Sequence, residues 1–200
     1  MTGIWLFRKS KMPLHSIFSL TFSEDKTIDF VDKRKFGRFN VYKTDEFWSD
    51  KKLQRKFSDL GPDILSEEST PETFSGRVKK YQNWEIKPLL MEQNFVSGIG
   101  NIYASEICFL SGLNPFRKVS TLNVEEWEKI AVSAKLILQR AYEAGGSSIE
   151  DYQHPDGSLG RAQNDHLIYN KRICGLCKSQ ISKSPQKSRI TYWCPKCQKW

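Results

Sequence analysis

Four cysteines near the end of the printed sequence constrain the fold more than any other feature. They are spaced C-x2-C-x16-C-x2-C, and they are Cys174, Cys177, Cys194 and Cys197. Each pair places two thiolates on a tight knuckle, and two knuckles together form a tetrahedral site for Zn²⁺. The arm between the pairs carries basic residues and predicts a β-hairpin. Four thiolates leave no open coordination position, so the expected zinc ion is structural.

Other interpretations of the cysteines fit the sequence less well. Disulfides suit an oxidising compartment, but the first residues lack the basic and apolar segments of a signal peptide. A redox C-x-x-C site needs one pair in a thioredoxin-like context. The fifth cysteine, Cys108, falls inside a predicted helix and is expected to be a small buried apolar residue. With no run of eighteen apolar residues either, we expect an intracellular protein with no membrane partner.

Charge is distributed unevenly along the 200 residues. The net charge is +8, but residues 1–60 carry +5, residues 61–170 carry −5 and residues 171–200 carry +8 without one acidic side chain. A run of like charge is often only a solvated surface. Two basic ends around an acidic middle instead indicate a polyanion held between two lobes, which favours nucleic acid as the partner.

The chain changes character near residue 65. Before it, the stretches 15–22, 27–32 and 38–43 alternate apolar and polar residues and predict a β-meander. A few strands alone seldom form a stable unit, so part of a sheet is expected to be missing.

After residue 65 the pattern becomes helical. The segments 86–93 and 101–112 predict two short helices, the second closed by Gly112. Asn123 and Glu126 form a capping box at the start of a longer third helix, which the glycines of "AGG" end.

A glycine turn precedes the second short helix, in the stretch "NFVSGIGNIYASE" (94–106). Gly98 and Gly100 let the backbone approach a ligand closely, and the helix that follows presents free N–H groups that favour anions. Asn101 adds an amide donor. The alternative is that Asn101 serves only as a helix cap.

Together these stretches resemble the formamidopyrimidine-DNA glycosylase and endonuclease VIII family over nearly the whole chain. "IKPLLMEQNFVSGIGNIYASEICFLSGLNP" is similar to its helix–two-turn–helix signature, and "CGLC…SRITYWCPKCQKW" to its zinc finger. "GGSSIEDYQHPDGSLGRAQNDHLIYN" is similar to the segment between them, and "VDKRKFG" to part of the N-terminal lobe. The resemblance implies an α+β fold with a partial β-sandwich lobe (1–65), a helix–two-turn–helix domain (66–160) and a C-terminal zinc-finger β-hairpin (161–200).

The resemblance also implies roles in holding damaged DNA. Lys87, Asn101 and Arg189, with the turn at Gly98 and Gly100, match positions that bind phosphates around the damaged nucleotide. Such contacts give affinity and register but no base identity.

A flipped base leaves a hole in the duplex, and the family fills it with three side chains. Met1, Arg34 and Phe36 stand at the matching positions. The alternative for Arg34 and Phe36 is a basic turn with one exposed aromatic ring.

The family's catalytic residues have no counterpart in this sequence. They are an N-terminal proline nucleophile, adjacent glutamates and a lysine of the N-terminal lobe. We therefore expect an N-terminally truncated member, inactive or weak alone in base excision and AP lyase chemistry, that binds damaged or abasic double-stranded DNA as a monomer.

Three functional hypotheses stay open at this point. The chain is the C-terminal part of a split or mis-started DNA glycosylase, a non-catalytic protein that binds damaged DNA, or a zinc-stabilised module with a protein or RNA partner. Salt-insensitive or absent duplex binding would favour the last. The sequence does not define the lesion, and Arg161 stands where the family usually has an aromatic residue.

Overall fold

The computed structural model describes residues 3–148 and 152–200. The described chain forms two compact units. The first comprises Met1–Lys43 and Arg140–Asp165, and the second comprises Thr44–Gln139 and His166–Trp200. The three-part division by motif stays a prediction.

The described residues contain five strands, six α-helices and three short 3-10 helices. The strands are β1 (Gly3–Phe7), β2 (Ser16–Ser23), β3 (Lys26–Asp32), β4 (Ser182–Gln186) and β5 (Arg189–Trp193). The α-helices are α1 (Thr44–Ser49), α2 (Lys51–Ser58), α3 (Pro71–Arg77), α4 (Ile86–Leu90), α5 (Asn101–Leu110) and α6 (Val124–Glu143). The 3-10 helices are Val78–Tyr81, Val119–Thr121 and Ala162–Asp165. No helix among the described residues is long and apolar enough to cross a membrane.

The first unit is built on an antiparallel sheet in the order β1-β3-β2. Trp5, Phe18 and Phe30 pack together, with ring centroids 5.2–5.5 Å apart. Side chains alternate along a strand, so Asp29 lies on the opposite face from Phe30. There Asp29 is fully buried and receives hydrogen bonds from Arg8 and Ser19. Those hydrogen bonds hold the pKa of Asp29 below its ordinary value, and the bond from Arg8 has the largest effect.

Two of the predicted strands are confirmed, as β2 and β3, but the third is wrong. Residues 38–43 form no strand, and β3 pairs with β1 on one edge and with β2 on the other. Phe39 instead folds onto the aromatic face, with its ring centroid 4.3 Å from that of Phe18. An alternating apolar pattern therefore serves here to cover a sheet rather than to extend it.

The second unit has a helical core of buried side chains from α3 to α6. The predicted capping box starts α6: Glu126 N–H donates to Asn123 Oδ1 at 2.9 Å, and Asn123 N–H donates to Glu126 Oε2 at 3.1 Å. Gly112 closes α5 with a φ of +70°, a conformation that favours glycine. Cys108 is buried in this core, as predicted, and burial raises the pKa of its thiol to about 12.

A smaller core joins the finger hairpin β4-β5 to helix α5. Phe109 packs with Ile168, Ile181 and the first cysteine of each knuckle. The backbone adds N–H donation from Asn114 to Lys199 and from Lys199 to Gly112. The finger is therefore part of the helical unit, and the predicted α+β class is confirmed.

Candidate nucleic-acid interface and metal centre

The turn between α4 and α5 depends on its two glycines in different ways. Gly98 has a φ of +95°, which residues with a side chain rarely adopt. Gly100 has an extended backbone, and a Cβ placed there would meet no heavy atom within 4 Å. Gln93 ties the turn together, since its side chain accepts from Gly98 N–H and donates to the Ile99 carbonyl. Gly98 thus fixes the turn, while the Cβ side of Gly100 is open.

Lys87 and Asn101 meet at the start of α5. Lys87 is 1% exposed, and its Nζ donates to Asn101 Oδ1 at 2.7 Å. Asn101 is the first residue of the helix, and the Gly100 position before it makes no side-chain cap. Because its Oδ1 accepts from Lys87, the NH₂ of the amide is the part of Asn101 that can donate outward.

The environment of Lys87 is unfavourable to its charge. Burial first, and to a smaller extent the guanidinium of Arg189, lower the pKa of the ammonium to about 8. A buried cation beside a second cation is a site that an anion would stabilise.

Arg189 reaches the same place from the finger. It is the first residue of β5 and lines a pocket of about 290 Å³ with Lys87 and Trp84. Lys187, in the hairpin turn, sets its Nζ 3.4 Å from the centroid of the Trp84 ring. Three of the predicted phosphate ligands, Lys87, Asn101 and Arg189, therefore converge beside the open N-terminus of α5.

A buried glutamine holds the hairpin tip next to this pocket. Gln186 pairs with Arg189 across the hairpin, and its Nε2 donates to Glu85 Oε2 and to the Pro115 carbonyl, both at 2.9 Å. Thr191 Oγ1 donates to Gln186 Oε1 at 2.8 Å. Both the nitrogen and the oxygen of the Gln186 amide are therefore hydrogen-bonded. Sequence reasoning missed Gln186, because nothing local marks a partner 101 residues away.

Glu106 fixes the segment that leads into the finger. Its buried carboxylate accepts the backbone N–H groups of Leu167, Ile168 and Tyr169 at 2.7–3.1 Å. The residue stands on α5 one turn and a half after Asn101. Its sequence signal is a single charged residue within an otherwise uncharged helix.

The four predicted metal ligands come together. Their sulfur atoms all lie within 4.8 Å of one another, with Cys174 to Cys197 at 3.8 Å and Cys177 to Cys194 at 3.4 Å. A disulfide needs about 2.05 Å between sulfurs, so both pairs are thiols. Gln198 Oε1 accepts Cys194 N–H at 2.7 Å, which steadies the second knuckle. The cluster can hold one tetrahedral metal ion.

Arg34 and Phe36 belong to the first unit, in the loop after β3. Phe36 is 78% exposed, and the Arg34 guanidinium carbon lies 5.6 Å from its ring centroid. Asp32 holds the loop, because its carboxylate accepts the N–H groups of Arg34 at 3.1 Å and Gly37 at 2.7 Å. Sequence reasoning missed Asp32. Met1 lies outside the described residues.

This geometry defines a helix–two-turn–helix protein with a four-cysteine finger, and comparison with known proteins supports the definition. Residues 60–153 match the formamidopyrimidine-DNA glycosylase H2TH domain. The formamidopyrimidine-DNA glycosylase of Bacillus cereus is 33% identical over 202 residues, covering 99% of this chain and 71% of that protein. That of Listeria monocytogenes is 34% identical over 193 residues, covering 96% of this chain and 69% of that protein.

Solved structures agree with the sequence relatives. Lactococcus lactis Fpg in complex with DNA containing an abasic site has a TM-score of 0.87 at 30% identity, covering 100% of this chain and 73% of that one. The MutM (Fpg) protein of Thermus thermophilus has a TM-score of 0.82 at 35% identity, covering 99% and 73%. The chain belongs to the formamidopyrimidine-DNA glycosylase family.

Proposed function

We propose that this chain is a DNA-repair protein that binds duplex DNA at a damaged base or an abasic site. Its relatives are named formamidopyrimidine-DNA glycosylases, and a similar solved structure is a complex with abasic DNA. One observation carries the proposal: a buried lysine, an amide and an arginine converge beside a helix N-terminus. These groups suit a phosphate, which accepts hydrogen bonds and carries the missing negative charge.

The metal in the finger is proposed to be a single structural Zn²⁺. Four thiolates at about 2.3 Å from one zinc ion in a tetrahedron are about 3.8 Å apart. The separations of Cys174 from Cys197 and of Cys177 from Cys194, 3.8 and 3.4 Å between sulfur atoms, are close to that value. Zinc bound there would hold the hairpin that carries Arg189, so the metal supports phosphate binding without touching DNA.

Arg34 and Phe36 are proposed to fill the space left by a flipped nucleotide. An exposed ring beside a guanidinium can enter a base stack, because both groups stack on bases. Asp32 would keep the two side chains presented by fixing the loop backbone. Met1 is proposed for the same role on the resemblance alone.

The test is binding of a fluorescent abasic duplex and its undamaged counterpart at low salt. We expect a preference for the abasic duplex, and losses of about 1–3 kcal/mol for Asn101→Ala and for Arg189→Ala. Lys129→Ala is the matched control, since Lys129 is exposed on α6 and lines no pocket described above. Equal affinity of the wild type and both site variants would contradict the proposal.

Binding and bond cleavage are separated by borohydride trapping on abasic DNA. The convergent groups of the site are suited to hold phosphate, so we expect retained binding with little or no covalent crosslink. An amine that forms a Schiff base is trapped by borohydride. Efficient trapping would instead assign lyase chemistry to an amine of this chain.

A further inference from the structure

The finger carries a second basic concavity, away from the Arg189 pocket. It has a volume of about 1020 Å³, at the upper end of the range of ligand pockets. Its lining includes Lys171, Arg172 and Lys183, with Ile173 and Tyr192. We call this set of five residues the finger groove.

The hairpin geometry sets Lys183 and Tyr192 of the finger groove on the opposite face from Arg189. Trp193, which shares the face of Arg189, also borders the concavity. In β5, side chains alternate, so Arg189 and Thr191 share one face and Tyr192 lies on the other. Lys183 stands directly across from Tyr192 in the β4-β5 register. A strand rises about 3.4 Å per residue, so Tyr192 is also displaced about 10 Å from Arg189 along the hairpin. A phosphate that contacts Arg189 therefore does not itself contact Tyr192.

The cations of the finger groove belong to the most basic part of the chain. Residues 171–200 contain no acidic side chain. The ion pairs of Arg8 with Asp29 and of Arg117 with Glu126, both among the described residues, do not involve the groove. Three cations around one concavity repel one another, and a polyanion would relieve that repulsion.

The apolar part of the lining favours a single strand over a duplex. Ile173 is 55% exposed and adds an apolar surface to the basic lining. Tyr192 is half-buried, and its ring contacts that of Tyr169 at a centroid distance of 5.1 Å. A duplex keeps its bases stacked inside, whereas a single strand offers base faces to aromatic and apolar side chains.

We infer that the finger groove is a second nucleic-acid site, which binds a single-stranded DNA segment through phosphate contacts and base packing. This site goes beyond damage recognition at the Lys87–Asn101–Arg189 pocket. It would let the protein hold a duplex at one face of the finger and an unpaired strand at the other.

The experiment uses oligothymidylate, which does not pair with itself, and the Asn101→Ala/Arg189→Ala protein as background. We expect this background to keep salt-sensitive binding of oligothymidylate, measured by fluorescence anisotropy. Adding Lys183→Glu should lower the affinity at least about tenfold and reduce the log–log salt slope by about 0.7 or more, as loss of one phosphate contact to a single strand requires. Adding Lys129→Glu, with the same change in charge outside the groove, should leave both unchanged.

Three outcomes would overturn the inference. One is no oligothymidylate binding by the background protein, and another is an equal effect of Lys183→Glu and Lys129→Glu. The third is competition by an undamaged duplex as strong as competition by the single strand. Zinc content and thermal unfolding of each variant exclude a folding defect. If the wild type binds the abasic duplex no better than the undamaged duplex, the proposed function is refuted. The oligothymidylate result tests the groove separately.

Discussion

Replacing Lys87 with methionine tests whether the protein holds a buried ammonium ready for phosphate. Met has a similar length and no charge, so Lys87→Met removes the cation and its 2.7 Å hydrogen bond to Asn101 while filling the same space. The side chain is 1% exposed, so its charge is screened little by water. The variant therefore separates the cost of burying the charge from the benefit of binding an anion.

The magnitude follows from the pKa of Lys87. Burial lowers it from 10.5 to about 8, and at about 1.4 kcal/mol per pH unit the charged form costs the folded state about 3 kcal/mol at neutral pH. Between about pH 8 and 10.5 the unfolded chain binds more protons at this group than the folded chain. Stability from Lys87 therefore rises with pH in that window. Integrated from pH 7 to pH 9.5, the gain is about 2 kcal/mol.

Urea denaturation of wild type and Lys87→Met at both pH values measures this difference. Other titrating groups contribute equally to both proteins. From pH 7 to pH 9.5 the free energy of unfolding of the wild type should therefore rise by about 2 kcal/mol relative to that of the variant. The affinity for DNA should change with pH in the opposite direction to the stability, because only the protonated amine attracts phosphate. Affinity of the wild type for an abasic duplex should fall as pH rises through about 8, and Lys87→Met should bind weakly without this dependence. Parallel stability profiles for the two proteins would refute the reasoning.

The other predictions concern the turn, the α5 carboxylate and the metal. Gly98→Ala should destabilise the protein by about 1–2 kcal/mol in thermal unfolding, because its φ of +95° disfavours a side chain. Gly100→Ala should lower the unfolding temperature less than Gly98→Ala, as alanine for glycine at an N-cap does, but weaken duplex binding, since its Cβ would project into open space beside the helix start. Unchanged duplex affinity in Gly100→Ala would show that DNA does not approach there. Glu106→Ala strands three backbone N–H groups and should cost about 3 kcal/mol or more in urea denaturation, with Glu106→Gln milder. Removal of zinc by a chelator should unfold the finger and abolish binding of the abasic duplex, whereas unchanged affinity after verified metal loss would count against a role for the finger.

Features encoded locally were predictable from the sequence. The capping box at Asn123 and Glu126 needs two residues three positions apart, and the structure has both of its hydrogen bonds. The cysteine spacing defines a ligand set because each pair lies on one knuckle. In both cases the geometry is decided within a few residues of chain.

Features that depend on distant partners were not predictable in the same way. Glu106 acquires its role from backbone groups more than sixty residues away, and Gln186 from a residue 101 positions away. Strand β1 was missed because "GIWLF" is a short run without a full polar alternation. Helices α1 and α2 were also missed, although Asp50 caps α2 by accepting from Lys52 N–H at 2.7 Å.

The polar contacts buried beneath the finger explain how the proposed metal site can influence the proposed phosphate site without touching it. Gln186 donates to the Pro115 carbonyl and Gln198 to the Leu113 carbonyl, both at the loop that directly follows α5. That helix begins at Asn101 and spans about 15 Å, so its two ends carry the amide ligand and the support of the finger. Each buried carbonyl left without its donor would cost about 1–3 kcal/mol, which resists sliding of the finger along the loop. The distance between Asn101 and Arg189 is therefore set by one rigid helix and two satisfied amides, provided that the knuckles are held.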